Sequence, residues 1–285
     1  LGEAAVSAPE RVMLNDVARR VTLWNQLEPY YHTGVDGPLK TPESRGTESV
    51  LNALILATYD KQHMTELERK AFDQAWALQI KTGNLAGAWD WLNFHLAPWE
   101  SSESQYYGAA LAAVAVGRAP DNYRNNPKIQ GNLQLLRRYL RRNYAEQTLI
   151  NKIYLLWASA NLSGLLTSSE RSELLKAILS KQQADGGWSL TDLGAWKRLD
   201  KTALETRSDG YATGLTLFAL EQSGLAKNLP QAQRGLAWLA QNQIADEGKW
   251  PAWSVNLKRD PNSYIGHFMN DAATGFAVLA LENGH

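Results

Sequence analysis

The chain has no cysteine, which excludes disulfides, thiolate zinc sites and a cysteine nucleophile together. Neither sign of charge is in excess: 29 Lys+Arg and 29 Asp+Glu cancel, so no net field draws in nucleic acid or an anionic membrane surface. Long hydrophobic runs are missing too. The longest, Gly108 to Gly117, is far short of the roughly 20 residues that span a bilayer, so a soluble, non-membrane-spanning chain is expected. The histidines His32, His63, His95, His267 and His285 show no metal-ligand spacing, and no metal or cofactor is expected. A Gly-x-Ser-x-Gly elbow, a P-loop and a dinucleotide fingerprint are all lacking, so triad hydrolases and nucleotide enzymes lose support.

Tryptophan, by contrast, is abundant. There are 11, roughly three times average usage, and most stand beside Gly, Pro or Gln instead of inside apolar runs. Ser168 to Trp188 and Arg234 to Trp253 show the reason. Each offers an amphipathic helix, a glutamine near its end (Gln182, Gln243) and a Gly-x-Trp close (Gly186-Gly187-Trp188, Gly248-Lys249-Trp250). The glutamine can bond to backbone groups that a helix end leaves open, the glycine permits a positive φ, and the ring can fold back over the amide. Gly87-Ala88-Trp89 ends the 65–82 helical segment in the same way.

The rest of the chain alternates amphipathic helices with more apolar ones. Amphipathic patterns are read at 10–27, 65–82, 133–144 and 168–183. Helices apolar on most of their circumference are read from Thr47, over 104–116 and 148–163, and from Ser208 and Asn270. Gln182 to Gln243 and Gly214 to Gly275 are both 61 residues apart. That period, with one helix of each kind per unit, is a repeat architecture. The expected fold is all-α, a single α/α toroid over 1–285 of about five outer and inner helix pairs, with 1–9 a flexible lead. The polar start at Leu1 also reads as the beginning of a trimmed, exported protein, placing it in the periplasm or outside the cell.

In such a barrel the outer-to-inner connections share one end. Tyr30, Tyr31, Trp91, Trp99, Trp196 and Trp253 are therefore expected around one mouth, with Tyr211 just inside an inner helix. Acids fall at the starts of the inner helices: Glu48, Glu103, Asp209 and Asp271. Each taken alone reads as a helix cap. Taken together in an aromatic cavity they are candidate proton donors, with Asp209 and Asp271 the best pair. Arg45, Lys197, Arg198, Lys258 and Arg259 in the same loops read as solvated.

The run Arg234-Gly-x-x-Trp238-Leu239-x-x-x-Gln243 with Gly248-x-Trp250 is similar to the QW repeat of squalene-hopene and oxidosqualene cyclases. Gln182 to Trp188 resembles a partial second copy. The openings Ser208-Asp-Gly-Tyr-Ala-Thr and Asn270-Asp-Ala-Ala-Thr resemble the Asp-Asp-Thr-Ala type of segment in that superfamily, which includes protein prenyltransferase β subunits. The resemblance covers 168–284 and implies an α/α toroid with a cavity for an isoprenoid-like chain. It also implies a general-acid role for Asp209 or Asp271, with the mouth tryptophans stabilising positive charge. The Asp-x-Asp-Asp tetrapeptide with which those cyclases protonate substrate does not occur, and the Cys ligand of the prenyltransferase zinc site is absent. The expected function is binding of an apolar, isoprenoid-like ligand, with acid-initiated cyclase or isomerase chemistry as its enzymatic form. The alternatives are a repeat scaffold that binds a protein partner, and a polysaccharide lyase or hydrolase.

Overall fold

The computed structural model describes residues 7–27, 40–59 and 63–283, and it is all-α. Among the described residues ten α-helices follow one another: α1 Ala8–Thr22, α2 Thr41–Tyr59, α3 Glu66–Leu78, α4 Ser104–Arg118, α5 Gln130–Asn143, α6 Leu149–Asn161, α7 Ser168–Leu179, α8 Gly210–Gln222, α9 Pro230–Gln241 and α10 Tyr264–Asn283. The β-structure among the described residues consists of the isolated bridges Leu96 to Glu100 and Ile244 to Lys249. The chain forms two compact units, Leu1–Asn93 with Ser104–Leu140, and Phe94–Glu103 with Arg141–His285.

The two kinds of helix read from the sequence differ in burial as their patterns require. The amphipathic α5, α7 and α9 each bury one stripe: Leu133, Leu136, Tyr139 and Leu140; Leu174 and Ile178; Ala232, Gly235, Trp238 and Leu239. In α8, every residue from Gly210 to Leu220 is buried, so no face of that stretch is left to solvent. α4 is buried without interruption from Gly108 to Val116. Small side chains make this possible. A Cβ on Gly214 would lie 2.6 Å from the backbone nitrogen of Ala277 in α10, so α8 and α10 approach more closely there than any larger residue allows.

Two helices begin about six residues earlier than their sequence pattern suggests. α2 starts at Thr41 instead of Thr47 and takes in both Pro42 and Gly46. Pro42 lies in the first turn, where a missing N–H costs nothing. Gly46 is required by packing, since a Cβ there would lie 2.0 Å from the carbonyl oxygen of Asp90. α10 starts at Tyr264, six residues before Asn270. The Ser263 hydroxyl accepts from Gly266 N at 3.1 Å and its carbonyl from His267 N at 2.9 Å, which starts the helix.

The tryptophan closes are built as the spacing requires. In the first, Gln79 Nε2 donates to the Gly87 carbonyl (3.2 Å) and Trp89 Nε1 to the Ala75 carbonyl (2.6 Å). In the second, Gln182 Nε2 donates to Gly186 (2.7 Å) and Trp188 Nε1 to Ile178 (2.9 Å). In the third, Trp250 Nε1 donates to Leu239 (2.9 Å). Gly87, Gly186 and Gly248 all have positive φ, at 104°, 96° and 66°. Gln243 departs from its expected role: it is exposed, and Asn242 Nδ2 bonds the Trp238 carbonyl at the helix end instead, at 2.8 Å.

Candidate functional site

Asp209 is the N-cap of α8 and is fully buried. Its Oδ1 accepts from Ala212 N at 2.8 Å and its Oδ2 from Leu190 N at 2.7 Å. Burial pushes its carboxyl up from the ordinary value to about 7, against the backbone N–H groups of Ala212, Leu190 and Tyr211, which pull it down. One turn further on, Thr213 Oγ1 accepts from Trp188 N at 2.9 Å. The two side chains thus pin the segment that follows the tryptophan onto the start of α8.

The next repeat has the same pair of bonds. Thr274 Oγ1 accepts from Trp250 N at 3.1 Å, and Asn270 Oδ1 accepts from Ala252 N at 3.2 Å. The counterpart of Asp209 is therefore Asn270, not Asp271. An amide performs the same task as the carboxylate, which marks Asp209 as a fastening group.

Asp271 is turned the other way. Adjacent helical residues point about 100° apart, and Asp271 is exposed in the middle of α10, not at its start. Around it α10 departs from an ordinary amphipathic helix. Its packed side carries the small residues Gly266, Ala273, Ala277 and Ala280 with Met269, and Phe276 beside them meets the rings of Tyr154, Trp157, Tyr211 and Phe218. Its open side presents large apolar ones: Tyr264 (90% exposed), Phe268, Val278 and Leu279 (each 40%). The spacing 264, 268, 271, 275, 278/279 is one helical face, so Asp271 stands inside a solvent-facing apolar strip.

The remaining sequence candidates are distributed as follows. Tyr30 and Tyr31 lie outside the described residues. Glu48 is in the eighth position of α2 and makes a two-pronged bond with Arg20, at 2.7 and 2.5 Å. Glu103 is exposed, one residue before α4. Trp91 is buried with its ring against Gly108, where a Cβ would lie 2.2 Å away. Trp196 is half-buried and donates to the Leu190 carbonyl at 2.8 Å. Trp99 and Tyr211 are buried edge-to-face, with centroids 4.7 Å apart, and Trp99 also meets Phe268 of the strip at 5.7 Å. Tyr211 further bonds the Tyr154 hydroxyl at 2.5 Å. These rings pack against one another as core. Arg198, read as solvated, is buried and donates to the Ser254 carbonyl at 3.0 and 2.7 Å.

Trp253 lines an open cleft of about 430 Å³ together with Trp238, Asp185, Ser208, Asn270 and Lys249. The Arg207 guanidinium lies 4.1 Å above the Trp253 ring, a cation–π contact. Asp185 ties the floor together, accepting from Trp238 Nε1 at 3.0 Å and from Ser208 Oγ at 2.8 Å. Sequence reasoning missed Asp185 and Arg207 as lining residues: Asp185 reads as a turn residue inside the second close, between Gln182 and Gly186, and Arg207 lies in the loop before α8. It also missed Glu221 on α8, whose carboxylate oxygens are buried with no hydrogen-bond partner among the described residues; burial pushes that carboxyl up to about 7.

No group of three or more metal-ligating side chains is found among the described residues. No described helix is long and apolar enough to cross a membrane. Comparison with known protein families returns no match for this chain, and comparison with curated proteins returns none.

Proposed function

We propose that this is a squalene-cyclase-like helical-repeat protein that holds an apolar, isoprenoid-like chain against the open face of α10. The carrying observation is the open side of α10, where Phe268, Val278 and Leu279 face solvent while Phe276 and the alanines pack inward. An exposed apolar strip on an otherwise well-packed helix marks an interaction site. Covering the exposed part of these three side chains is worth about 2 kcal/mol, enough to favour a long apolar chain over a short polar one. Acid-initiated chemistry on such a chain falls to Asp271, because the carboxylate oxygens of Asp209 are bonded to backbone N–H groups.

Titration with farnesol and longer polyprenols tests this directly. Trp99 touches Phe268, so binding on the strip should change tryptophan emission saturably and more strongly with longer chains. Unchanged emission, or equal response in a Val278→Asn/Leu279→Gln variant, counts against the reading. Incubation with polyprenyl substrates, compared between the wild type and Asp271→Asn, tests the acid role: product that persists in the variant rejects it.

A second reading rests on the cleft at Trp253. A tryptophan face beside Asp185, Ser208 and Asn270 is the mixture of ring and polar groups that suits a saccharide. Glycan-array binding lost in Trp253→Ala would favour it.

A further inference from the structure

Each of the first two tryptophan closes also seats on the amphipathic helix that comes next. Gln79 Nε2 donates to the Asn132 carbonyl of α5 at 3.0 Å, and Gln182 Nε2 to the Gln231 carbonyl of α9 at 2.7 Å. The glycine of each turn meets the same helix three residues on. A Cβ on Gly87 would lie 2.2 Å from the Leu135 carbonyl oxygen, and one on Gly186 2.9 Å from that of Arg234. The seat is therefore two backbone carbonyls at i and i+3, reached by a glutamine amide and a left-handed glycine. Gln79, Gly87 and Gly186 are buried by it, and Gln182 is half-buried.

The third close has a turn of the same kind, one residue longer than the second and without the glutamine-to-glycine bond, and no described helix seats on it. Gln243 and Gly248 are both exposed, and a Cβ on Gly248 would meet no atom within 4 Å. We propose that this third turn is a docking edge for α1 of a second copy of the chain.

Helix α1 fits the seat by register. Its inward residues Leu14, Val17 and Val21 repeat the spacing of Leu133, Leu136 and Leu140 in α5 and of Ala232, Gly235 and Leu239 in α9. In that register the seat residues Asn132/Leu135 and Gln231/Arg234 correspond to Met13 and Asp16. Met13 is 38% exposed and the Asp16 side chain 63%. Among the described residues, no tryptophan close bonds to α1.

Charge favours α1 over α7, which also carries no close. The third turn carries exposed Asp246, and Glu247 is paired with Lys249. On α7 the corresponding register places two acids, Glu170 and Glu173, at the seat, which would repel Asp246. On α1 the seat holds one acid, Asp16, and it is paired with Arg19 at 3.9 Å. A contact between an edge and a different surface of the next copy is head-to-tail, so it builds rings or filaments.

The absence of cysteine makes the test simple. A Gln243→Cys protein is mixed with a Met13→Cys protein under mild oxidation, beside a control mixture of Gln243→Cys with Glu173→Cys. All three positions are exposed, and thermal melts establish that the variants fold. The expected result is a mixed disulfide dimer well above the control, and sedimentation of the wild type showing concentration-dependent association. Gln243→Ala should weaken that association about fivefold, the loss of one neutral hydrogen bond. A wild type that sediments as a monomer at all concentrations overturns the proposal. So does a mixed dimer no more abundant than the control, or one outweighed by Gln243→Cys pairing with itself.

Discussion

Replacing Asp209 separates a fastening role from a catalytic one. Asp209→Ala removes the N-cap of α8 and the acceptor for Leu190 N, leaving two buried backbone N–H groups without partners. Each such group costs about 1–3 kcal/mol, so a loss of about 3 kcal/mol is expected in urea unfolding. Asp209→Asn keeps one acceptor oxygen and turns an amide N–H₂ toward the other donor, which should cost about 1–2 kcal/mol at low pH. The pH dependence follows from the raised carboxyl. A group whose folded pKa lies near 7, above its unfolded value, contributes stability fully below about pH 4 and loses it as pH rises through 7. Three pH units correspond to at most about 4 kcal/mol. Unfolding of the wild type and Asp209→Asn from pH 4 to pH 8 should therefore show the gap between them closing as pH rises. A gap that widens with pH would mean that the anion is the favoured buried form, and would refute the burial argument.

Other substitutions probe the tryptophan closes and the buried acids. Gly87→Ala sets a Cβ against the Leu135 carbonyl at a φ of 104° and should cost about 3 kcal/mol. Gly248→Ala meets only its left-handed φ and should cost about 1 kcal/mol; similar losses at both sites in denaturant melts would contradict the seating described for Gly87. Trp188→Phe keeps most of the buried ring but drops the bond to Ile178, for an expected loss of about 1–2 kcal/mol in the same assay. Glu221→Gln should raise the melting temperature at pH 8 and change it little at pH 4. Its carboxyl is pushed up to about 7, so its contribution is present at low pH and lost as pH rises through that value. A stabilisation that appears only at pH 4 would reverse the sign.

The all-α class and the tryptophan closes were legible in the sequence because both depend on local spacing. An amphipathic stripe ended by a glutamine and Gly-x-Trp can satisfy its own backbone within a few residues, and it does so around Trp89 and Trp188. The 61-residue repeat also held information about the acids. Asp209 shifted by 61 lands on Asn270, yet the neighbouring Asp271 draws the eye as the matching carboxylate. One residue of register on a helix turns a side chain from the packed side to the open one, and no composition argument detects that. The early start of α2 was hidden for a different reason. Pro42 and Gly46 look like loop punctuation, but one sits harmlessly in a first turn and the other is held by the Asp90 backbone, 44 residues further along the chain. The apolar strip on α10 depends equally on a distant partner, because nothing in its own sequence says that α8 will take its alanines and Phe276 and leave Phe268 outside. The tryptophans of the loops were read as a cavity lining for want of the same information: Trp91 and Trp99 find ring and glycine partners and become core.

Whether the open face of α10 holds an apolar chain is tested most directly by native mass spectrometry of the protein purified without detergent and loaded with a polyprenol of defined length. A single bound polyprenol is predicted on the wild type, with most of it lost in Val278→Asn/Leu279→Gln. An unliganded wild type at saturating polyprenol, or equal occupancy of the variant, would contradict the claim.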